Sequence, residues 1–157
     1  GYCKGIGPNR LETAGTMGIP LVFAPGGLDN AAFGPSCPVP KELMERRIYT
    51  HDARVCVRLE SSEMERLAVI IAEKLNKSPG LIYILIPTKG WSEGDRSGMP
   101  LYDLAIDRVF TETLKKLLNP QIAVEEMSLH INDPPFARKA VDILHAMIQK
   151  GQASTAC

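Results

Sequence analysis

Residues Leu81 to Pro87 read "LIYILIP", a continuous apolar run with no charged position and no polar alternation. A strand with one wet face alternates apolar and polar side chains, so an unbroken run of this length fits a strand covered on both faces. Such strands lie inside parallel sheets, where helices carry the chain back from one strand to the next.

The flanking sequence supplies those helices. Upstream, "SSEMERLAVIIAEKLNKSPG" has capping-box spacing at Ser62 and Glu65. Met64, Leu67, Ile71 and Leu75, with Ile70, mark one apolar face, and Ser78-Pro79-Gly80 ends the helix. Downstream, a helix is predicted from about Asp103 to Leu118, burying Ile106, Val109, Phe110, Leu114, Leu117 and Leu118 and stopped by Asn119-Pro120. "QIAVEEMSL" reads as the next strand, and Phe136, Ala140, Val141, Leu144 and Ile148 give the last helix its stripe.

Further upstream, Asn9 is placed to cap a short helix in "RLETAGTMG", closed by Gly15 and Gly18 before the strand-like "IPLVFAPGG". "RRIYTH" and "VCVRLE" are β-rich runs around Asp52, Ala53 and Arg54. Strands alternating with helices predict one α/β domain over residues 1–150: a three-layer, Rossmann-like arrangement, mostly parallel sheet with helices on both faces and right-handed crossovers. The small-residue stretch "GQASTAC", 151–157, reads as a tail or linker.

Composition narrows the function classes. A chain of 157 residues suits a single core, and 45% apolar with 23% charged residues is ordinary for a globular protein. No run of eighteen apolar residues is present, which argues against a membrane span. Eighteen basic residues balance eighteen acidic ones, so no general attraction for nucleic acid is implied. Cys3, Cys37, Cys56 and Cys157 form no C-x-x-C pair and no signal peptide is recognisable, so reduced thiols in a cytoplasmic protein are expected. The loop-like opening "GYCKGIGPNR", with no strand before it, fits a piece of a longer chain.

In open α/β sheets ligands bind beyond the carboxyl ends of the strands. Three loops there carry unusual polar content. In "APGGLDNAAFGP", Gly26 and Gly27 allow close backbone approach, so amides beside Asp29 and Asn30 could form an anion nest; the alternative is a tight turn. The second loop, Thr88 to Pro100, is long for a structureless connection. Lys89 offers a point charge, Gly90 close approach, Ser92 a hydroxyl and Trp91 a stacking face, while Glu93 and Asp95 could hold a metal bridging phosphates. The alternative is a solvated loop with Trp91 packed back on the core.

The third loop is "LHINDPPFARKA", where Asp133 followed by Pro134 reads as N-cap and first helical residue. His130 and Asn132 are not needed to start a helix and are candidates for ligand contact. His130 is open to reading as general base, metal ligand, neutral donor or hydrogen-bonded structural histidine. His51, with Arg54 and Arg58, could form a weaker anion-recognising cluster. Cys37, His51 and Cys56 lack zinc spacing, and no Walker loop, G-x-S-x-G or H-E-x-x-H is present.

Taken in order, "GPNRLETAGTMGIP", "GGLDNAAFGP", "YTHD", "IAEKLN", "IPTKGWSEGD" and "HINDPPFA" resemble the second half of the tomato mosaic virus resistance protein family, the Tm-one-like ATP-binding proteins. The resemblance runs from about Gly7 to Ile148, with His130 to Pro134 its most specific part. It implies the carboxy-terminal domain of a two-domain α/β unit, lacking the amino-terminal domain that carries much of the ATP site. It also implies interdomain ligand contacts from Gly27, Asp29, Asn30, Gly34, His51, Gly90, Ser92, Asp95, His130, Asn132 and Asp133. ATP and magnesium would bind the longer protein, and neither would bind this domain tightly alone. Partners implied are the missing amino-terminal domain, a second copy in a homodimer, and a TIM-barrel domain following the tail.

Three functions compete on this reading. The domain closes loops over a nucleotide or phosphorylated ligand; or it is a protein-interaction or dimerisation module, as the inhibitor of viral replication proteins in the plant relative suggests; or it belongs to an ATP-dependent enzyme acting on a small carboxylate, with His130 or Asp133 assisting.

Overall fold

A computed structural model describes residue 7 and residues 9–155, with side chains described up to residue 151. Cys3, Cys157 and most of the opening "GYCKGIGP" lie outside the described residues.

The described residues form two three-stranded sheets. The first contains β1 (Leu21–Phe23), β5 (Ile82–Pro87) and β6 (Ala123–Met127), all parallel, in the order β1-β5-β6. The "LIYILIP" run is therefore the central strand. Its alternate residues serve two layers. Ile82, Ile84 and Ile86 join the core made with α2 (Ser61–Asn76) and α3 (Leu104–Leu117). Tyr83 turns the other way, donating its hydroxyl to Glu125 at 2.6 Å, and Glu125 pairs with Lys139 of α4 (Pro134–Thr155) at 3.1 Å. Helices thus cover both faces, as the absence of polar alternation requires.

Between β1 and α2 the chain detours through a second sheet, antiparallel, in the order β2-β4-β3: β2 is Asn30–Phe33, β3 Ile48–His51 and β4 Arg54–Arg58. Phe33, Leu43 and Val57 form its own small core. The β2 segment "NAAF" reads as loop in the sequence because four residues, two of them alanine, sit among Gly and Pro; pairing with β4 makes it a strand. The β3–β4 hairpin closes through Asp52, at φ 51, whose carboxylate accepts the Arg54 amide at 3.0 Å.

Several local expectations are corrected. The α1 helix (Glu12–Thr16) begins after Leu11 at φ 71 with no side-chain cap, so Asn9 contributes only its carbonyl, accepting from Glu12 at 3.1 Å. The box at the start of α2 lies two residues before Ser62 and Glu65: the Glu60 amide donates to the Glu63 carboxylate at 2.9 Å. Ala68 and Ala72 join Met64, Ile71 and Leu75 on its buried face, while Ile70 is 40% exposed. On α4, Phe136 is buried and Ala140 and Leu144 half-buried as expected, but Val141 and Ile148 face outward, and Ile143 and Met147 complete the stripe. The same helix continues to Thr155, taking in most of the stretch read as a tail. No helix among the described residues is long and apolar enough to cross a membrane.

Candidate functional site

The loops leaving β1, β5 and β6 meet at the carboxyl edge of the parallel sheet and are hydrogen-bonded to one another. The Gly27 amide donates to the Trp91 carbonyl at 2.8 Å, Lys89 to Leu129 at 3.0 Å, and Ile131 to Gly90 at 3.1 Å. Gly90, at φ 116, is where they close. A Cβ there would stand 1.7 Å from the Asp95 carbonyl oxygen and 3.0 Å from the His130 ring, so only glycine fits.

Thr88 to Pro100 is consequently an ordered loop, with a 3-10 turn over Glu93–Asp95. Trp91 is no stacking face: it is 2% exposed, packs edge-on against Phe110 at 5.2 Å, and donates its indole N–H to the Pro87 carbonyl at 2.8 Å. The glycine turn does not form an open nest either. Gly27 has φ 70, its amide is used on Trp91, and the Leu28 amide returns to Pro25 at 3.2 Å.

Beneath the loops lies a buried ionic cluster. Arg58, at the end of β4, faces three aspartates: Asp107 at 2.5 Å, Asp95 at 3.6 Å and Asp29 at 3.7 Å, every side chain at most 7% exposed. Ser92 donates its hydroxyl to Asp29 at 2.7 Å, and the Asn30 amide group reaches the same oxygen at 3.0 Å. Asp95 accepts the Trp91 amide at 2.8 Å and the Asp103 amide at 3.3 Å. Burial pushes the Asp107 carboxyl up to about 8, with Asp95 adding to the rise and Arg58 opposing it. Burial raises Asp95 as well, against the Trp91 amide, Asp107 and Arg58. Both carboxyls are thus pushed toward their protonated forms beside a single guanidinium.

Arg58 does not form the expected cluster with His51 and Arg54. Arg54 pairs with Asp52 at the exposed hairpin tip, at 2.7 Å, while Arg58 ties the second sheet to α3 and the loops. His51, 56% exposed, stacks on Tyr49, and Gly34 forms an isolated bridge with Cys37. No described hydrogen bond joins either residue to the three loops. The other expected contacts, Gly27, Asp29, Asn30, Gly90, Ser92, Asp95, His130, Asn132 and Asp133, all belong to the assembly.

His130, 4% exposed, is wedged among the loops. Its Nε2 lies 2.9 Å from the Ser92 carbonyl oxygen and its Nδ1 takes the Asn132 amide at 3.1 Å, contacts that assign Nε2 as the protonated nitrogen. The Ser92 hydroxyl points to Asp29 and not to the imidazole, so no serine nucleophile is activated. Asp133 does not cap α4 with its side chain; it turns back to accept the His130 amide at 2.8 Å, and its carbonyl takes the Phe136 amide at 2.9 Å. With two prolines opening α4, the first helical positions have no N–H to cap. Asn132 is exposed and reaches Glu93 at 3.3 Å.

Outside this packed layer an open cleft of about 590 Å³ is lined by Thr88, Lys89, Arg96, Ser97, Tyr102, Leu104, Ser128, His130 and Asp133. Arg96 bridges cleft and loops, with Nη2 3.2 Å from Glu93 and 3.4 Å from His130 Nδ1, and its Nε is buried without a partner. Two cations, three small hydroxyls and a phenol suit an anion. Asp95, the candidate metal ligand, is buried and accepts two backbone amides, and among the described residues no group of three or more His, Cys, Asp or Glu side chains is placed to hold a metal ion. Asp107, Arg96, Ser97, Tyr102 and Ser128 are absent from the sequence-derived site, and Arg58 entered it only with His51 and Arg54. An arginine directly after an apolar strand, opposite aspartates in two glycine-rich loops, was the available sign of the buried cluster.

The geometry defines an α/β domain with an anion-suited cleft at the carboxyl edge of its parallel sheet. The chain belongs to the uncharacterised protein family UPF0261, whose C-terminal domain model matches residues 1–148. It is 40% identical over 146 residues to a UPF0261 protein of Clostridium tetani, an alignment covering 92% of this chain and 36% of the relative. Similarity extends to the ToMV resistance protein Tm-1(GCR237) of Solanum lycopersicum, 38% identical over 137 residues (85% of this chain, 18% of the relative). The ToMV susceptible protein tm-1(GCR26) of the same plant is 36% identical over 145 residues (90% and 19%). The chain therefore spans a minor part of each of these relatives.

Proposed function

We propose that this domain supplies one wall of a site for a nucleotide or another phosphorylated ligand, completed by the remainder of the intact protein. The observation that carries the reading is the cleft where Lys89 and Arg96 converge with Thr88, Ser97 and Ser128 at the ends of β5 and β6. A lysine supplies a point charge and an arginine a planar fork, the two usual partners of phosphate oxygens. The cleft is open, and a wall without its opposite face holds a ligand weakly. His130, Asp133 and the buried aspartates beneath position the loops.

Calorimetric titration of ATP with magnesium into the intact protein and into residues 1–157 separates the possibilities. Binding by the intact protein alone is the expected result. Equal binding by both would place a complete site here, and no binding by either would remove the ligand reading.

A second reading, a protein-interaction module, draws on the outward stripe of α4, where Val141 is 65% and Ile148 41% exposed, and on the plant relatives' names. Sedimentation across a concentration series tests its dimeric form, which a strictly monomeric chain would exclude. The enzymatic reading gains nothing from the geometry, because His130 contacts the carbonyl of Ser92 and not its hydroxyl.

A further inference from the structure

Glu93 and Arg96 stand at the two ends of one short turn in the loop after β5. The Ser92 hydroxyl accepts the Asp95 amide at 3.2 Å, closing the 3-10 turn Glu93–Asp95, and Asp95 points inward to Arg58. Glu93 is left on the outer side, three residues before Arg96, with half of its side chain exposed. There one of its carboxylate oxygens collects donors from two loops. Arg96 Nη2 stands 3.2 Å away, and the Asn132 side-chain amide, from the loop after β6, donates at 3.3 Å.

Neither contact is tight. Arg46, Arg47 and Arg54 each reach a carboxylate at 2.6 or 2.7 Å, the spacing of a strong charge-assisted bond. The Arg96 fork is also half used. Nε and Nη2 share the edge of a guanidinium that takes two oxygens side by side, and here Nε is buried with no partner among the described residues. Its Nη2 also stands 3.4 Å from His130 Nδ1, which already accepts the Asn132 backbone amide at 3.1 Å. A buried donor without an acceptor is costly, so this arginine gains by exchanging Glu93 for a group that offers oxygens to both nitrogens. Arg96 also lines the cleft, where such a group would arrive.

We propose that Glu93 holds the place of a ligand oxyanion: a phosphoryl group entering the cleft takes Arg96 and the Asn132 side-chain amide from it, so that Glu93 competes with the ligand. The inference rests on the ligand reading above and adds where the anionic end of the ligand sits. A phosphoryl group has an oxygen for Nε, another for Nη2 and a third for Asn132, whereas Glu93 meets Nη2 and Asn132 through a single oxygen. Competition of this kind is mild, because a partly exposed ion pair contributes little.

Calorimetric titration of ATP with magnesium into the intact protein and into its Glu93→Gln, Arg96→Ala and doubly substituted variants tests it, with thermal midpoints checking that each is folded. Glu93→Gln is expected to bind roughly two- to fivefold more tightly than the parent, the scale of one partly exposed ion pair. Glu93→Ala repeats the gain and guards against an effect of the new amide. Arg96→Ala is expected to bind about tenfold more weakly. Glu93→Gln added to Arg96→Ala then changes nothing further, because the competition acts through Arg96. A gain of equal size in the Arg96→Ala background means general repulsion by a nearby charge and overturns the proposal. Unchanged or weaker binding in both Glu93 variants overturns it too, weaker binding marking Glu93 as a support for the ligand or its magnesium. ATP binding by the parent that Glu93 does not oppose ends this inference alone, whereas no binding by parent or variants removes the ligand reading and this inference with it.

Discussion

At the scale of single residues, two positions hold the site together for different reasons. Gly90 is fixed by space: its φ of 116 and the 1.7 Å that would separate a Cβ from the Asp95 carbonyl leave no room for a methyl group. Gly90→Ala is expected to cost about 3 kcal/mol or more in urea unfolding, and a variant within 1 kcal/mol of the parent, roughly the scale of an ordinary surface change, would show that the loops yield easily. Asp107 is fixed by charge. Its folded value of about 8 lies above the ordinary 3.8, so the folded chain keeps a proton that the unfolded chain loses. That contribution to stability is complete below the unfolded value and is lost as pH rises through the folded one. Asp95 is shifted in the same direction, whereas Asp103, held down by Arg47, and Glu125, held down by Tyr83 and Lys139, contribute above the ordinary carboxylate range and lose that contribution in acid. Asp107→Asn keeps an acceptor for Arg58 and an N–H toward Asp95, so it mimics the protonated acid. Relative to the parent it is expected to gain about 1–3 kcal/mol between pH 5 and pH 9. Urea midpoints at pH 5, 7 and 9 read this directly, and a difference that does not change with pH would mean Asp107 is ionised throughout.

Elements were legible where periodicity was strong. The run "LIYILIP" and the helices beside it needed only pattern, because a strand covered on both faces and a helix with one wet face leave different signatures. The second sheet was half-visible: β3 and β4 are rich in β-branched residues, but β2 exists only through its pairing with β4. Of the site, the glycine turns and the stretch His130 to Asp133 were visible, since they depart from local pattern. The burial of Arg58 was not, and the packing of Trp91 was visible only as an alternative, because each depends on residues distant in sequence: Asp29, Asp95 and Asp107 for one, Phe110 for the other. At this scale α3 offers a test. Asp103 caps it by accepting the Ala105 and Ile106 amides, both at 3.1 Å, and pairs with Arg47 at 2.6 Å. Asp103→Ala is expected to cost about 1–2 kcal/mol of stability, while Arg47→Ala, whose pair is partly exposed, costs less. Equal losses would mean that the ion pair and not the cap anchors the start of α3.

For the molecule as a whole, the parallel sheet carries three loops to one edge, and Arg58 fastens the antiparallel sheet beneath them. Most of the residues singled out in the sequence serve this fastening. Asp29, Asp95 and His130 spend their hydrogen bonds inward, while Lys89, Arg96, Ser97 and Ser128 line the open cleft. Support and recognition are thus divided in the proposed function: the buried aspartates and His130 keep the loops in place, and the proposed ligand meets the cations at the surface. Its central claim is tested most directly by titrating ATP with magnesium into the intact protein and into its Lys89→Ala, Arg96→Ala double variant, with thermal midpoints measured in parallel. A loss of affinity of roughly a hundredfold at an unchanged midpoint is the predicted result, each charge-assisted contact contributing about 1.5 kcal/mol or more. Unchanged affinity would contradict the account and take the cleft out of the ligand site.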